Sequence, residues 1–254
     1  MTESQSKMVE TAFGSAMASV EAADAAFAYA VQLEGILCDL QTETRQTYGQ
    51  FCGLARALEV VGERWALLIV RDLLVGPRRF LELQRGLPGV PVNVLSTRLA
   101  ELEQTGIIRG RAAAHGDTVY ELTERGRGLE DIVLSLGRWG VALLGAPRAT
   151  DIVTVDSVIM AMRTAFRPEV ARGHRVGFEL RLAEFVIHVR VEDGTLVAAA
   201  GPLPGADLVI EPGQALKGLL TGEVSPAQVL ADGSVRIVGE VSLLTRFVEL
   251  FQVS

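Results

Sequence analysis

The chain has 254 residues, of which 49% are hydrophobic and 22% charged, and its net charge is −7. These values are typical of a globular protein long enough for two domains, and they exclude a uniformly basic nucleic-acid coat. No apolar run approaches the roughly 20 residues that a bilayer-spanning helix needs, so we expect no membrane partner. The two cysteines, Cys38 and Cys52, form neither a disulfide framework nor a zinc-ligand spacing. We therefore expect a cytoplasmic protein without a metal or another cofactor.

Residues 1–47 form an alanine-rich segment whose apolar residues recur at helical spacing. Acidic residues interrupt every apolar stretch, which argues against a secretory signal. We predict a helical N-terminal extension that either enlarges a dimer interface or is disordered.

Residues 48–146 carry the pattern of a mostly helical domain, which opens with predicted helices over 51–61 and 63–74. In the second of these helices we expect Trp65, Leu68, Ile69 and Leu73 to face the core. The spacing then predicts a short helix over 78–83, a tight glycine-containing turn and a second amphipathic helix beginning near Pro91. Two short strands follow, separated by a small turn, and make a hairpin at 107–122. Helix, turn, helix and hairpin in this order are the plan of a winged helix-turn-helix.

The second amphipathic helix presents a polar face whose side chains can read base edges. Asparagine pairs with two atoms of adenine, arginine pairs with two atoms of guanine, and serine or threonine bonds to either base. The base-reading candidates are Asn93, Ser96, Thr97 and Arg98. Basic groups at the start of the preceding helix and on the hairpin are placed for phosphates, and these candidates are Arg78, Arg79, Arg109, Arg111 and His115. A plain solvated helix face is the alternative interpretation.

A longer helix is predicted over 123–144, with one apolar side formed by Leu129, Ile132, Val133, Leu136 and Trp139. Packing of this face against a second copy would place two recognition helices on the two halves of a palindromic site. Packing within one chain is the alternative.

The run 51–73 and the segments Gly76–Phe80, Leu95–Glu103, Gly106–Ile108 and Tyr120–Gly126 resemble the HxlR-type transcription regulators, a MarR-like winged-helix family. The resemblance implies a homodimer that binds a palindrome in double-stranded DNA, with Asn93, Ser96, Thr97 and Arg98 on its recognition helix. Some members sense oxidants through a cysteine in the region of Cys52, so the resemblance makes Cys52 a redox candidate. A lone cysteine among apolar residues is more often an inert small hydrophobe.

Residues 152–254 change to an α+β pattern. A helix over 155–166 precedes strands at 176–182, 185–191, 195–200, 207–211 and 235–238, with helices at 213–220, 226–231 and 241–251. One sheet with helices on one side is the predicted architecture, so the whole chain is mixed α and α+β.

This second half resembles the sterol-carrier-protein-like fold in its segments Asp207–Ile210, Leu219–Gly222, Ser225–Pro226 and Ser234–Gly239. The resemblance implies an apolar tunnel that holds a hydrophobic small molecule. The candidate wall residues are Phe178, Phe185, Ile187, Leu216, Leu220, Leu244 and Phe247, and each could equally be plain core.

Two functional hypotheses follow from these patterns. The first is a sequence-specific DNA-binding transcription regulator that a hydrophobic effector modulates. The second is a lipid or hydrophobic-ligand carrier in which the winged helix is mainly a dimerisation module. The motifs Gly-x-Ser-x-Gly, Walker A and His-Glu-x-x-His are absent from the sequence, so we predict that the protein is not an enzyme.

Overall fold

The structure, a computed structural model, describes residues 47–112, 117–145, 148 and 150–253. Residues 1–46 of the predicted N-terminal extension lie outside these residues, as does His115. The chain divides into two compact units, of which the first contains the residues up to Ala66 together with Val90–Thr105, and the second contains Leu67–Gly89 and the residues from Gly106 onward. Within the described ranges, no helix has the length and apolar character that crossing a bilayer requires.

The secondary-structure elements follow in chain order. They are α1 (Gly53–Val61), α2 (Ala66–Val75), β1 (Arg78–Arg79), α3 (Phe80–Gly86), α4 (Val92–Gln104), β2 (Ile108–Ala112), β3 (Thr118–Leu122), α5 (Glu124–Arg127), α6 (Glu130–Val141), α7 (Val155–Ala165), β4 (Arg175–Arg181), β5 (Val186–Glu192), β6 (Thr195–Ala200), β7 (Leu208–Glu211), a 3-10 turn (Gly213–Ala215), α8 (Leu216–Thr221), α9 (Pro226–Ala231), β8 (Arg236–Gly239) and α10 (Ser242–Leu250).

The first unit is built on α1 and α4, which contact each other. Helix α4 begins after Pro91 and buries Leu95, Leu99 and Leu102, the apolar face that the spacing predicted. On its polar face Asn93 is exposed and Thr97 and Arg98 are partly exposed, whereas the Ser96 Oγ is buried. In α1 the side chains of Leu54 and Leu58 stay exposed one turn apart.

The second unit opens with α2 and a three-stranded sheet in the order β1-β3-β2. The predicted helix over 78–83 starts too early, because Arg78 and Arg79 pair with Tyr120 and Val119 of β3 instead. Helix α3 therefore begins at Phe80. A core position predicted in α2 also differs, since Leu68 is exposed.

The predicted helix over 123–144 is two helices, α5 and α6, which are separated at Gly128. Helix α6 has no buried residue, and its apolar side chains Ile132, Leu136 and Trp139 are exposed. Its opposite side contacts α7, where Gly137 meets Thr164.

The C-terminal part contains all the predicted strands in one mixed sheet of order β6-β5-β4-β7-β8. Strands β4 and β7 are parallel, and the other pairs are antiparallel. The core of this part includes buried residues of α7 and α10, and Phe178 of β4 meets Phe247 of α10 edge to face at 5.2 Å.

Candidate nucleic-acid interface

The N-terminal end of α4 offers open backbone donors and one exposed amide side chain. Pro91 is the N-cap residue and makes no side-chain hydrogen bond to the first turn. Asn93 is exposed in that turn. Unpaired N–H groups and the helix dipole favour an anion at such an end.

The two hydroxyl groups of the predicted set are less available than Asn93. The Thr97 hydroxyl donates a hydrogen bond to the Asn93 carbonyl at 3.0 Å. The Ser96 Oγ is buried and has no hydrogen-bond partner. Thr97 is partly exposed and can accept a second bond, whereas Ser96 faces inward.

Arg98 is held by carboxylates in this structure. Its Nη1 contacts Glu101 one turn later, and its Nη2 lies 3.5 Å from Glu63 Oε2. The Arg98 side chain is only 18% exposed. Base contact by Arg98 would therefore require the guanidinium to leave two acidic partners.

The wing, defined here as β2 and β3, carries the most exposed arginines of the predicted set. Arg109 and Glu121 are paired across the strands with Nε and Oε1 at 2.8 Å, and Arg111 Nε lies 3.9 Å from the same oxygen. The arginine side chains are 62% and 67% exposed. Hydrogen bonding from Arg109 lowers the pKa of Glu121. Exposed ion pairs of this kind are weak, so phosphates can replace the carboxylate at little cost.

The adjacent residues Arg78 and Arg79 differ in their availability. Arg79 is about half exposed and lies 3.3 Å from Asp117. Arg78 uses all three guanidinium nitrogens, because Nε and Nη2 bind Asp156 at 3.1 and 2.7 Å and Nη1 donates to the Pro77 carbonyl at 3.0 Å. Its hydrogen bond to Asp156 raises the pKa of Arg78. The predicted phosphate contact is therefore occupied by the first turn of α7.

A buried carboxyl lies near this ion pair. Asp72 of α2 is fully buried; its Oδ1 accepts a 2.8 Å bond from Arg71, while its Oδ2 has no partner. Burial raises the pKa of Asp72 to about 6. A Cβ on Gly86 would lie 2.7 Å from Oδ2, so a larger residue at this position would require the Asp72 carboxylate to move. Asp72 is not among the residues predicted from the sequence, because a single aspartate within an apolar helix has no periodic pattern.

Cys52 occupies the N-cap position of α1 and is an exposed free thiol. The backbone N–H groups of Ala55 and Leu54 lower its pKa. A lowered pKa and exposure are the two properties that make a thiol reactive.

The predicted tunnel residues do not gather around the cavity that the C-terminal part contains. Phe178, Ile187, Leu244 and Phe247 are fully buried in the core, and Leu220 is nearly so. Leu216 packs against the same core. A cavity of about 820 Å³ lies elsewhere and includes only Phe185 from the predicted set. Among the residues with described positions, no cluster of three metal-binding side chains occurs.

The helix-turn-helix part of the chain is similar to known proteins. The model of the HxlR-like helix-turn-helix family matches residues 60–147. An HTH-type transcriptional regulator of Mycobacterium tuberculosis is 42% identical over 102 residues, which cover 39% of this chain and 63% of the regulator. The chain therefore spans somewhat less than two thirds of that relative.

Two shorter proteins are covered more completely. The HTH-type transcriptional regulator YvaP of Bacillus subtilis is 35% identical over 86 residues, which cover 33% of this chain and 80% of YvaP. The oxidised redox regulator HypR is 32% identical, with 37% of this chain and all of HypR covered and a TM-score of 0.36. With its helix-turn-helix segment and wing, the chain belongs to the HxlR-like helix-turn-helix family.

Proposed function

We propose that the protein is a cytoplasmic, sequence-specific DNA-binding transcription regulator that acts as a homodimer on a palindromic operator. The observation that carries this proposal is the two-sided character of α4. One side is buried through Leu95, Leu99 and Leu102, while Asn93 and the uncapped first turn are open to a ligand. A helix of this kind within an HxlR-family domain is suited to the major groove.

The accessibility of each side chain supports a division of labour on DNA. We assign base reading to Asn93 and Thr97, and phosphate contacts to Arg79, Arg109 and Arg111. Arg98 joins the base-reading set only if DNA binding separates it from Glu63 and Glu101. Arg78 joins the phosphate set only if Asp156 releases it. Phosphate contacts carry most of the affinity, and base contacts carry the sequence preference.

The exposed apolar side of α6 supports the homodimer. Trp139 is 69% exposed, and Ile132 and Leu136 lie on the same side of the helix. Large apolar side chains that are exposed together on one side of a helix are typical of a protein interface. We assign residues 48–146 to DNA binding and dimerisation, and residues 152–254 to a sterol-carrier-like domain that takes a hydrophobic effector.

Selection from a random DNA library, followed by a salt-titrated binding assay, tests the proposal. The expected result is saturable binding to one palindromic class in excess random competitor, with affinity that falls as salt rises. Asn93→Ala should weaken binding to the selected DNA by about 1–3 kcal/mol and leave random-DNA binding unchanged. Arg109→Ala should weaken both alike. Arg190→Ala, an exposed arginine of β5, is the matched control. Equal affinity for selected and random DNA would contradict the regulator.

The cavity in the C-terminal part supports a second candidate, the hydrophobic-ligand carrier. Its volume of about 820 Å³ lies in the range of small-molecule sites. A carrier would copurify with an apolar molecule and would show no preference for any DNA class. Solvent extraction of the full chain, together with the selection assay, separates the two functions.

Redox control through Cys52 is a further part of the proposal, because its thiol is exposed and has a lowered pKa. Oxidant treatment should change DNA affinity in the native chain and have no effect on Cys52→Ser. An unchanged oxidant response in Cys52→Ser would remove Cys52 from this role.

A further inference from the structure

The cavity of about 820 Å³ joins four parts of the C-terminal half. Its walls come from the turn between β4 and β5, the segment around the start of β8, the extended residues that precede α7, and the end of β7 with the 3-10 turn that follows it. The third wall is the important one, because it continues directly into the helix whose first turn binds Arg78.

Two adjacent apolar side chains of that third wall are largely exposed to solvent. Ile152 and Val153 are 62% and 58% exposed, although both line the cavity. Leu182 and Phe185 also line the cavity and are partly exposed. A ligand with an apolar body would cover all four side chains, and removing their surface from water would favour binding.

The arginines at the cavity are already neutralised. Arg181 Nε lies 2.7 Å from Glu179 Oε1, and Arg236 Nε lies 2.9 Å from Glu211 Oε2. An anionic ligand would have to displace one of these carboxylates. The cavity is therefore a poor site for an acid.

Two further carboxylates line the cavity without an arginine partner among the described ion pairs. Asp151 accepts only a backbone N–H, that of Arg148 at 2.8 Å, and Glu184 is exposed. With the arginines paired, these two groups give the cavity a net negative character. A positive charge on the ligand would be attracted, while a negative charge would be repelled.

We propose that this cavity is a binding site for a lipophilic organic cation, and that its occupation changes DNA binding through the contact between Asp156 and Arg78. The DNA-binding readout rests on the proposed function, whereas the cation site does not. The site is distinct from the tunnel that the sequence predicted, since of those seven residues only Phe185 lines it.

The start of α7 is a rigid connection between the cavity and Arg78. Thr154 and Ser157 form reciprocal caps, with the Ser157 N–H bound to Thr154 Oγ1 at 3.2 Å and the Thr154 N–H bound to Ser157 Oγ at 3.0 Å. Asp156 lies inside this capped turn. A shift of Ile152 and Val153 toward a ligand is therefore carried to the carboxylate that holds Arg78. A ligand acts in this way only if it binds the two arrangements with different affinity.

Calorimetry on the full chain with two probes of nearly equal shape and opposite charge tests the site. We expect tetraphenylphosphonium to bind at one site per chain, and tetraphenylborate to bind at least about 5-fold more weakly. Glu184→Gln and Asp151→Asn should each weaken phosphonium binding by about 2- to 5-fold. Glu223→Gln, an exposed carboxylate outside the cavity lining, is the matched control and should change nothing. Equal binding of the two probes, or no effect of either lining variant, would overturn the cation site.

The coupling is tested on the selected DNA with and without a saturating concentration of tetraphenylphosphonium. We expect the DNA affinity of the native chain to change by about 5-fold or more, and that of Asp156→Asn to change by less than about 2-fold. Phosphonium binding with the same DNA response in both chains would overturn the coupling alone. Selected DNA bound no better than random DNA would contradict the proposed function, while the calorimetry would still decide the cation site.

Discussion

Helices α6 and α7 have similar lengths and similar amphipathic patterns, yet they use their apolar sides differently. Helix α7 buries Val158, Ile159 and Met162 in the core of the C-terminal part. Helix α6 buries no residue and leaves Ile132 and Trp139 in solvent. The two helices contact each other, so they differ in burial although they are neighbours.

Amphipathic periodicity therefore indicates that a helix has a buried side but does not indicate which element or partner covers that side. The apolar side of α7 faces a sheet from its own chain. The apolar side of α6 faces no described element, which is the reason for assigning it to a second copy. Four measurements test this distinction.

The largest expected change in stability comes from truncating an isoleucine to alanine in each helix. Ile159→Ala should lower the free energy of unfolding by about 2–5 kcal/mol, because it leaves a cavity in a fully buried site. Ile132→Ala should change the unfolding of dilute protein by at most about 0.5 kcal/mol. Urea denaturation at low protein concentration measures both. Equal losses would mean that α6 is buried within one chain.

Trp139→Asp tests the partner of α6 directly. A charge at the centre of an apolar interface should weaken dimerisation by about 2–4 kcal/mol while leaving the circular dichroism spectrum unchanged. Sedimentation over a dilution series measures the dimer constant. Val197→Asp, at an exposed apolar position of β6, is the control and should keep the native dimer constant. A dimer that tolerates Trp139→Asp would place the interface elsewhere.

Asp156 in the first turn of α7 interacts electrostatically with the buried carboxyl of Asp72, and a pH titration measures the ionisation of that carboxyl. The pKa of Asp72 is about 6 in the fold, and the unfolded chain has the ordinary value near 3.8. As pH rises between these values, the unfolded chain loses its proton while the fold keeps it, so stability falls. The contribution should reach about 2–3 kcal/mol and level off above pH 6.

Asp72→Asn is the control for that titration, since the substitution removes the ionisable group and keeps a side chain of similar shape. Denaturation between pH 4 and pH 7 should show a smaller downward slope for Asp72→Asn than for the native chain. Identical slopes in the two chains would show that Asp72 does not titrate in this range.

The smallest expected effects come from two glycines of α6. A Cβ on Gly137 would lie 3.1 Å from Thr164 Oγ1 of α7, whereas a Cβ on Gly140 would meet no atom within 4 Å. Gly137→Ala should therefore lower stability by about 1 kcal/mol through overpacking. Gly140→Ala should raise it by about 0.5–1 kcal/mol through helix propensity. Thermal denaturation measures the stability of both variants. A Gly137→Ala variant more stable than Gly140→Ala would mean that α6 and α7 are packed differently.

Local spacing was enough to predict most of the fold. The buried face of α4 and every strand of the C-terminal sheet follow from apolar periodicity of 3.6 or 2 residues. Strand β1 could not be predicted from spacing, because its two arginines have no apolar periodicity and join the sheet only by pairing with β3. Leu68 was misplaced for a related reason, since α2 is apolar on nearly every side.

The candidate DNA interface was less predictable, because whether a side chain is free to bind DNA depends on ion-pair partners that are distant in the sequence. The i,i+3 spacing of Arg98 and Glu101 could have suggested their contact, but nothing local relates Arg98 to Glu63. Asp156 reaches Arg78 from the other half of the sequence. Sequence chemistry identifies side chains able to bind DNA, while tertiary contacts determine which of them are free.

The mixed sheet implies an order of folding. Strands β4, β5 and β6 follow one another through short connections, so this meander can form from local contacts. The parallel pairing of β7 with β4 needs a longer chain closure before any bond forms, and β8 joins only through β7. We therefore expect the central strand β4 of the finished sheet to be an exposed edge early in folding, where another chain can pair with it.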